Sequence, residues 1–475
     1  MRARILDPET RKWWTLGAVA FGLFMIMLDN TVVNVALPAI QEDLGADLSE
    51  LEWIVTGYAL TFAALMLSGG KLADLLGRRL IFVVGLSIFT AASLACGLAA
   101  SGDMLIAARI VQGAGAALMN PATLSIISAT FPPHQRGMAI GLWAGVSALA
   151  LAIGPLVGGL LTEHASWHWI FFINIPIGIV AIAASFLLID ESRDTSEDQR
   201  LDLPGLLSSG IGLFSLTYAL IEGNTYGWIS ARIVTSFVVA AVSLVTFVLL
   251  ERHQRTPMLD LSLFRNRTFA GANAVMLLVA LAMFGVFFFV SLYMQNILGY
   301  SAVQAGAAFL PMTLLIVLIA PLAGRTSDRF GSRWLMGIGM TLLAIQLFSF
   351  SRLGVHESYW ALLPGMLIGG VGMASVMTPS AAAAMSGVPI DKAGVGSAVL
   401  NSARQVGGSV GIALIGAIIA HEAGSRRTPQ AFVDGFSTAL VVASLIALAG
   451  AGLAILVVRA PRRAESAEPV SELAA

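Results

Sequence analysis

The chain is dominated by long apolar runs, and each has about the length that a helix needs to cross a lipid bilayer, roughly 20 residues. Fourteen such runs follow one another: 13–40, 51–70, 79–100, 104–128, 137–161, 169–189, 204–222, 231–250, 268–293, 302–323, 333–352, 359–384, 393–421 and 436–458. Only 12% of the residues are charged, whereas soluble domains carry about 25%. The sequence therefore predicts an all-α integral membrane protein with 14 transmembrane helices.

Charge, cysteine content and motifs exclude several other classes of protein. The formal net charge of −1 offers no basic surface for nucleic acid. Cys96 is the single cysteine, which excludes a disulfide scaffold. No GxxxxGK(S/T) loop for ATP occurs, and no zinc-protease, CxxC or hydrolase motif lies in a suitable context. We therefore expect neither an ATP-driven pump nor an enzyme, and no bound metal or cofactor.

Lys and Arg are distributed unevenly between the two sides of the predicted bundle. Loops and tails on the side of the termini hold 21 of the 27 basic residues, and the opposite loops hold four. Because loops rich in Lys and Arg remain in the cytoplasm, both termini are predicted to be cytoplasmic. The first run is not a secretory signal peptide, because it continues past Asp29 and no cleavage site ends it. We therefore expect it to be retained as the first transmembrane span. The excess of Arg over Lys is typical of a GC-rich bacterial genome. For a bacterial protein with helical spans, we expect a location in the cytoplasmic membrane.

The second half of the chain repeats features of the first half at an offset of 254 residues. Gly45, Gly70, Asp74, Gly77 and Arg79 recur as Gly299, Gly324, Asp328, Gly331 and Arg333. Two six-helix halves with two inserted helices are therefore predicted, an organisation typical of transporters that rock about a central site. The expected segments are a first half (13–189), a cytoplasmic linker (190–203), an inserted helix pair (204–250), a second half (268–458) and a cytoplasmic tail (459–475).

Asp29 is a carboxylate within the first apolar run, and by sequence it is the only one deep within the spans of the first half. A charge in this position costs about 2.5–3.5 kcal/mol on insertion scales, so such a residue normally faces a cavity and has a function. We expect Asp29 to exchange a proton. The alternative is a structural hydrogen bond with Asn30, Asn34 or a neighbouring helix.

Arg109 and Gln112 share one face of the fourth span. The guanidinium could modulate Asp29 or relay hydration to it, or it could belong to a packing network with Gln112. Leu367 occupies the equivalent place in the second half. Loss of the charge from one copy favours a functional role over an architectural one.

Two glycine-containing motifs are further candidates. In the loop Gly70, Asp74, Gly77, Arg78 and Arg79, we expect a conformational latch, with Asp74 meeting a helix N-terminus or an arginine. The alternative is ordinary anchoring charge. In the fifth span, Gly154, Pro155, Gly158 and Gly159 permit close helix packing, and they could also form a hinge between the halves.

Polar residues near the end of the chain are candidates for the substrate cavity. Asn401, Arg404 and Gln405 share one helical face in the thirteenth span, where the arginine is expected to need an acidic or carbonyl partner. Cavity lining and a structural network remain equally open. Asn34 and Gln112 are further cavity candidates, and Glu222 is either interfacial or part of the cavity.

Five segments resemble the Major Facilitator Superfamily, and specifically its fourteen-helix drug:proton antiporter branch of the EmrB/QacA type. They are LDNTVVNVALPAI (28–40), GKLADLLGRR (70–79), RIVQGAGAALMNP (109–121), GPLVGG (154–159) and WHWIFFINIPIG (167–178). The resemblance implies export of lipophilic or cationic small molecules against inward proton flow, with a proton-linked Asp29 assisted by Arg109. Other readings are a uniporter or importer of a small metabolite, or a membrane sensor or scaffold that transports nothing.

Overall fold

Fourteen helices long and apolar enough to cross a membrane make up the described part of the chain. The structure is a computed structural model that describes residues 7–193, 202–254, 257, 259–386, 388, 393–424 and 428–458. The helices are α1 (Pro8–Leu44), α2 (Leu48–Leu76), α3 (Arg78–Gly97), α4 (Gly102–Thr130), α5 (Pro133–His164), α6 (Trp169–Phe172 and Asn174–Leu188), α7 (Leu203–Tyr226), α8 (Ala231–His253), α9 (Arg267–Leu292), α10 (Ala302–Ala308 and Leu310–Phe330), α11 (Ser332–Phe350), α12 (Tyr359–Ser386), α13 (Ala393–Ala423) and α14 (Pro429–Val457). The predicted all-α fold and its fourteen spans are confirmed.

Several helices extend beyond the apolar runs because their ends are polar and capped. The last predicted span began at 436, but α14 begins at Pro429, where the Thr428 hydroxyl accepts a hydrogen bond from the backbone of Ala431. The start of α2 is fixed by a capping box between Asp47 and Glu50. Hydropathy therefore locates the apolar centre of each helix, and the caps set its ends.

The repeat is visible in the backbone of the turns. We call the face at which α1 begins the termini face and the opposite face the far face. Gly77 and Gly331 have positive φ values of 124° and 86° at equivalent turns of the termini face. Gly45 and Gly299 have φ values of 64° and 71° at the far face. Glycine adopts positive φ values readily because glycine lacks a Cβ atom. The repeated glycines therefore reflect a repeated turn geometry.

The helices pack as two groups, α1–α6 and α9–α14, with α7 and α8 packed on each other beside α2 and α13. Direct packing between the two groups joins α2 to α13, α5 to α10 and α1 to α9. The outward side of α8 exposes apolar side chains, including Val238, Val242 and Val245. In water such a surface would be unfavourable, and in a bilayer it contacts lipid. The linker from 194 to 201 and the tail from 459 lie outside the described residues.

At the far face the two groups are in direct contact. The Gln295 side-chain amide donates to the Val35 carbonyl at 2.9 Å, and the Val303 amide donates to the Glu163 carboxylate at 2.8 Å. Toward the termini face the groups separate around a cleft of about 290 Å³, whose lining includes Asp74 and Asn401. The bundle is thus closed at the far face and open at the termini face.

Candidate functional site

A cavity of about 240 Å³ lies between the two groups of helices. α1 contributes Asn30 and Asn34, and α13 contributes Arg404 and Gln405. Its apolar lining is rich in flexible and aromatic side chains: Met27, Phe284, Phe287, Ile316, Met373 and Met377. Apolar walls with a few polar groups are typical of small-molecule sites, and methionine adapts its shape to different ligands.

The approach of α13 to α9 brings Arg404 to this cavity. A methyl group at Gly408 would lie 2.9 Å from the Phe284 ring, and one at Gly411 would overlap the Leu281 carbonyl. These glycines therefore allow the two backbones to pack closely. Asn401, one turn earlier, lines the cleft near the termini face and not the cavity.

The expected partner of Arg404 is missing from the described residues. Its Nε atom is buried without a hydrogen-bond partner, and so is the side-chain nitrogen of Gln405. The prediction that an acidic or carbonyl group would satisfy this arginine is therefore wrong for the described part of the chain. Arg404 is one of the residues that line the cavity.

Asp29 and Arg109 form a buried ion pair between α1 and α4. Gln112 completes a ring of contacts. The Arg109 guanidinium donates to the Gln112 side-chain oxygen at 2.8 Å, and the Gln112 amide donates to the second Asp29 oxygen at 3.0 Å. Asp29 and Arg109 are each 1% exposed, and Gln112 is fully buried. Charge-assisted contacts of this kind are strong where water is excluded.

Neighbouring helices hold this ion pair from several sides. Arg109 Nε donates to the Ile54 carbonyl of α2 at 3.1 Å, and its guanidinium carbon lies 4.2 Å from the centroid of the Tyr58 ring. The Gln112 amide also reaches Ser93 of α3 at 3.4 Å, which accepts from Asn174 of α6 at 3.0 Å. Five helices of the first group therefore meet at one polar network.

The expectation that Asp29 faces a cavity is wrong in this conformation. Its neighbours Asn30 and Asn34 line the central cavity, while Asp29 points into the first group of helices. A second cavity of about 10 Å³ is lined by Asn30, Asn34, Tyr58 and Arg109. This volume accommodates about one water molecule. Gln112 likewise belongs to the ion-pair network and not to the lining of the central cavity.

The 70–79 loop is held partly by a residue that the sequence did not single out. Arg78 Nε lies 3.0 Å from Asp74, so the expected arginine partner is the one directly after the turn. The Glu191 carboxylate accepts from the backbone amides of Arg79 and Leu80 at 3.1 and 3.2 Å. Glu191, and not Asp74, thus occupies the N-terminus of α3. Gly70 and Asp74 line the termini-face cleft.

The glycine motif of α5 contacts both groups of helices. Gly154 and Gly158 face α1, where a methyl group at Gly158 would lie 2.7 Å from the Val32 carbonyl. Gly159 faces the start of α10, where a methyl group would overlap the Ala302 carbonyl. Pro155 packs its carbonyl against Gly306 of α10. The motif therefore lies at a close contact between the halves, near the far face.

Glu222 lies outside the lining of the central cavity. It is half-buried and accepts from the Trp53 indole at 3.4 Å. The cavity assignment of Glu222 is therefore wrong for this conformation.

Glu52, on the helical turn beside Trp53, is 3% exposed, and one of its carboxylate oxygens has no hydrogen-bond partner. Glu52, near the far-face end of α2, is thus a second buried carboxylate of the first half, and the sequence did not single it out. The Glu52 carboxyl occupies the space that a side chain at Gly416 of α13 would take.

Comparison with known proteins settles the family. The family model described as Major Facilitator Superfamily matches residues 19–412, with a second match over 275–473. The chain belongs to the Major Facilitator Superfamily. The repeated loop motifs and the cavity between the two halves are therefore features of a superfamily member.

Relatives in the superfamily include named resistance proteins. The tetracenomycin C resistance and export protein of Streptomyces glaucescens is 36% identical, over 87% of this chain and 77% of its own length. The puromycin resistance protein of Streptomyces alboniger is 38% identical, over 90% and 87% respectively. Among solved structures, an auto-inhibited POT family peptide transporter superposes with a TM-score of 0.69 at 16% identity, covering 97% of this chain and 99% of that one. This last likeness shows the shared fold.

Proposed function

We propose that the chain is a proton-coupled exporter of lipophilic small molecules in a bacterial cytoplasmic membrane. The observation that carries the proposal is the apolar cavity between the two helix groups, close to a buried ion pair. Asn30 and Asn34 line this cavity and also the small cavity that Arg109 lines. Relatives that are 36% and 38% identical are named as antibiotic resistance and export proteins. The chain acts as a transporter and not as an enzyme, and its energy source is the proton gradient and not a bound cofactor or ATP.

The uneven distribution of Lys and Arg supports a cytoplasmic termini face. In that orientation, the far-face contacts close the exterior side and the cleft lies on the cytoplasmic side. Substrate would enter from the cytoplasm or the inner leaflet, and separation of α5 from α10 and of α2 from α13 would open the cavity to the outside. Reporter fusions after Arg79 and Arg333 should both report cytoplasm, and a fusion after Gly424 should report the exterior. An external signal at Arg333 would contradict this topology.

The proton step uses Asp29. A proton that reaches this carboxylate removes its charge and releases the Arg109 guanidinium from the ion pair. The small cavity beside Tyr58, whose hydroxyl has no hydrogen-bond partner in the described structure, offers a place for the water that would carry the proton. Because Asn30 and Asn34 line both cavities, protonation and substrate binding can be coupled over a short distance.

The available energy is sufficient for export. One proton moving down a potential of 100 mV releases about 2.3 kcal/mol, and each pH unit adds about 1.4 kcal/mol. Their sum supports a substrate gradient of more than about a hundredfold. A single proton-exchanging carboxylate can therefore drive accumulation on the far side.

The direct test uses purified protein in liposomes with an imposed pH gradient and a fluorescent lipophilic dye. In liposomes with an acidic lumen, uptake of the dye into the lumen should depend on the pH gradient. Addition of the dye should also release protons from the lumen. A uniporter or importer would move dye without this proton release, and a sensor or scaffold would move no dye. Either result would contradict the proposal.

A further inference from the structure

The central cavity contains one charged side chain among the residues described, and it is a cation. Arg404 lines the cavity from α13, and no Asp or Glu belongs to that lining. The remaining polar groups, such as Asn30, Asn34 and Thr313, are neutral. The cavity is thus an apolar chamber with a single positive group.

Arg404 cannot be neutralised by the nearby ion pair. Asp29 is already engaged by Arg109 and Gln112 within the first group of helices. Arg404 makes no ion pair or hydrogen bond in the described structure, and its Nε atom is buried. A buried N–H group without an acceptor costs free energy, and charges in an apolar environment are normally paired. Arg404 lies in the wall of the cavity, where the anionic group of a ligand can supply an acceptor.

We propose that the cavity selects lipophilic organic anions, whose anionic oxygen binds Arg404. The planar guanidinium offers two parallel N–H donors to a carboxylate, a geometry that adds selectivity as well as affinity. Gln405 follows Arg404 in α13 and also lines the cavity, and its side-chain nitrogen has no partner among the described residues, so it is a further candidate donor. The aromatic or aliphatic body of the ligand would lie against Phe284, Phe287 and the methionines.

This inference rests on the proposed export function and narrows its substrate class. A cationic drug would place its charge beside an arginine in a chamber without any carboxylate among its described lining residues. Like charges in a medium of low polarity repel strongly. The expectation of cationic substrates, which came from the family resemblance, is therefore replaced by one of anionic substrates.

Three fluorescent ligands with one ring system test the sign of the charge. They are anthracene-9-carboxylate, anthracene-9-carboxamide and 9-(aminomethyl)anthracene, which are anionic, neutral and cationic near pH 7. Binding to the full-length purified protein is measured by fluorescence anisotropy, with protein-free detergent micelles as the blank. The carboxylate should bind about tenfold or more tightly than the amide, and the amine more weakly than the amide.

Substitution of Arg404 identifies the group responsible. Arg404→Gln should lower carboxylate affinity by about tenfold to a hundredfold and change amide affinity by less than about threefold. Arg404→Lys should retain a preference for the carboxylate. Arg352→Gln is the matched control, because Arg352 is exposed at the far face and away from the cavity. Thermal unfolding of each variant verifies that the fold is intact.

Equal binding of carboxylate and amine, or a carboxylate preference that survives Arg404→Gln, would overturn the inference. Dye transport in liposomes separates this failure from failure of the proposed function. If the neutral amide is exported without a preference for the carboxylate, only the substrate class is wrong. If none of the three ligands and no lipophilic dye is moved, the export function itself fails.

Discussion

Arg109 of α4 forms an ion pair with Asp29 of α1 that is closed to the central cavity, although the residue after Asp29 lines that cavity. The pair is held by Gln112 and by the Ile54 carbonyl, so its geometry is fixed by three helices. The proposed proton site therefore lies inside the first group of helices. Under the proposal, a proton on Asp29 would alter the contacts of that group without direct contact between Asp29 and the substrate.

Removing one partner of the buried pair should destabilise the protein far more than removing one partner of the half-exposed pair at the termini face. Arg109→Gln leaves Asp29 buried and unpaired, and we expect a loss of about 3–5 kcal/mol. Arg78→Gln, which breaks the half-exposed contact with Asp74, should cost about 0–1 kcal/mol. Unfolding by denaturant measures both. Asp29→Asn combined with Arg109→Gln should cost less than the sum of the single changes, and strict additivity would show that the two residues are not coupled.

Glu191 should anchor the start of α3. Glu191→Ala removes the acceptor for the amides of Arg79 and Leu80, with an expected cost of about 1 kcal/mol, as for other helix caps. Hydrogen exchange should become faster at the first turn of α3 and stay unchanged in α4. Asp74→Asn is the comparison: it should leave exchange at α3 unchanged while slowing transport, because Asp74 belongs to the proposed latch. Full transport activity of Asp74→Asn would contradict the latch and favour the alternative, in which the loop only anchors the helices by its charge.

Gly159 should control closure at the far face. Gly159→Val pushes against the Ala302 carbonyl, so α5 and α10 must separate. The matched control is Gly141→Val, since Gly141 of the same helix has no atom within 4 Å of the added position. Spin labels at Glu42→Cys and Glu357→Cys, in a Cys96→Ala background, report the separation of the halves at that face. The distance should lengthen with Gly159→Val only, and an unchanged distance would place the closing contact elsewhere.

Glu52 should destabilise the folded protein relative to a neutral residue of the same shape. One of its oxygens is buried without a partner, and the carboxyl fills the space over Gly416. Glu52→Gln removes the cost of burying charge and should raise the melting temperature. Glu42→Gln, at an exposed position, should have little effect. A lower melting temperature for Glu52→Gln would mean that the carboxyl has a favourable partner.

The spans and the repeat were predictable from sequence because each depends on local hydropathy and local turn geometry. The direction of Asp29 was not, because Asn30, Thr31 and Asn34 are polar too, so the polar residues near Asp29 lie on more than one side of α1. The Glu52 carboxyl lies against Gly416, which is distant along the chain. That Arg404 has no partner among the described residues could be known only from the positions of all the helices that approach it. The sequence thus predicts which residues are chemically capable of a role. It does not predict the contacts of those residues, because long-range packing sets them.

The central proposal, that Asp29 couples proton entry to export, is tested most directly by transport of the Asp29→Asn protein in liposomes. Asp29→Asn should lose accumulation of dye against its gradient and retain downhill exchange, which also demonstrates that the variant is folded. Asp103→Asn, at an exposed position in the first turn of α4, should behave like the unaltered protein. Accumulation by Asp29→Asn at the normal rate and with the normal dependence on the pH gradient would contradict the proposal.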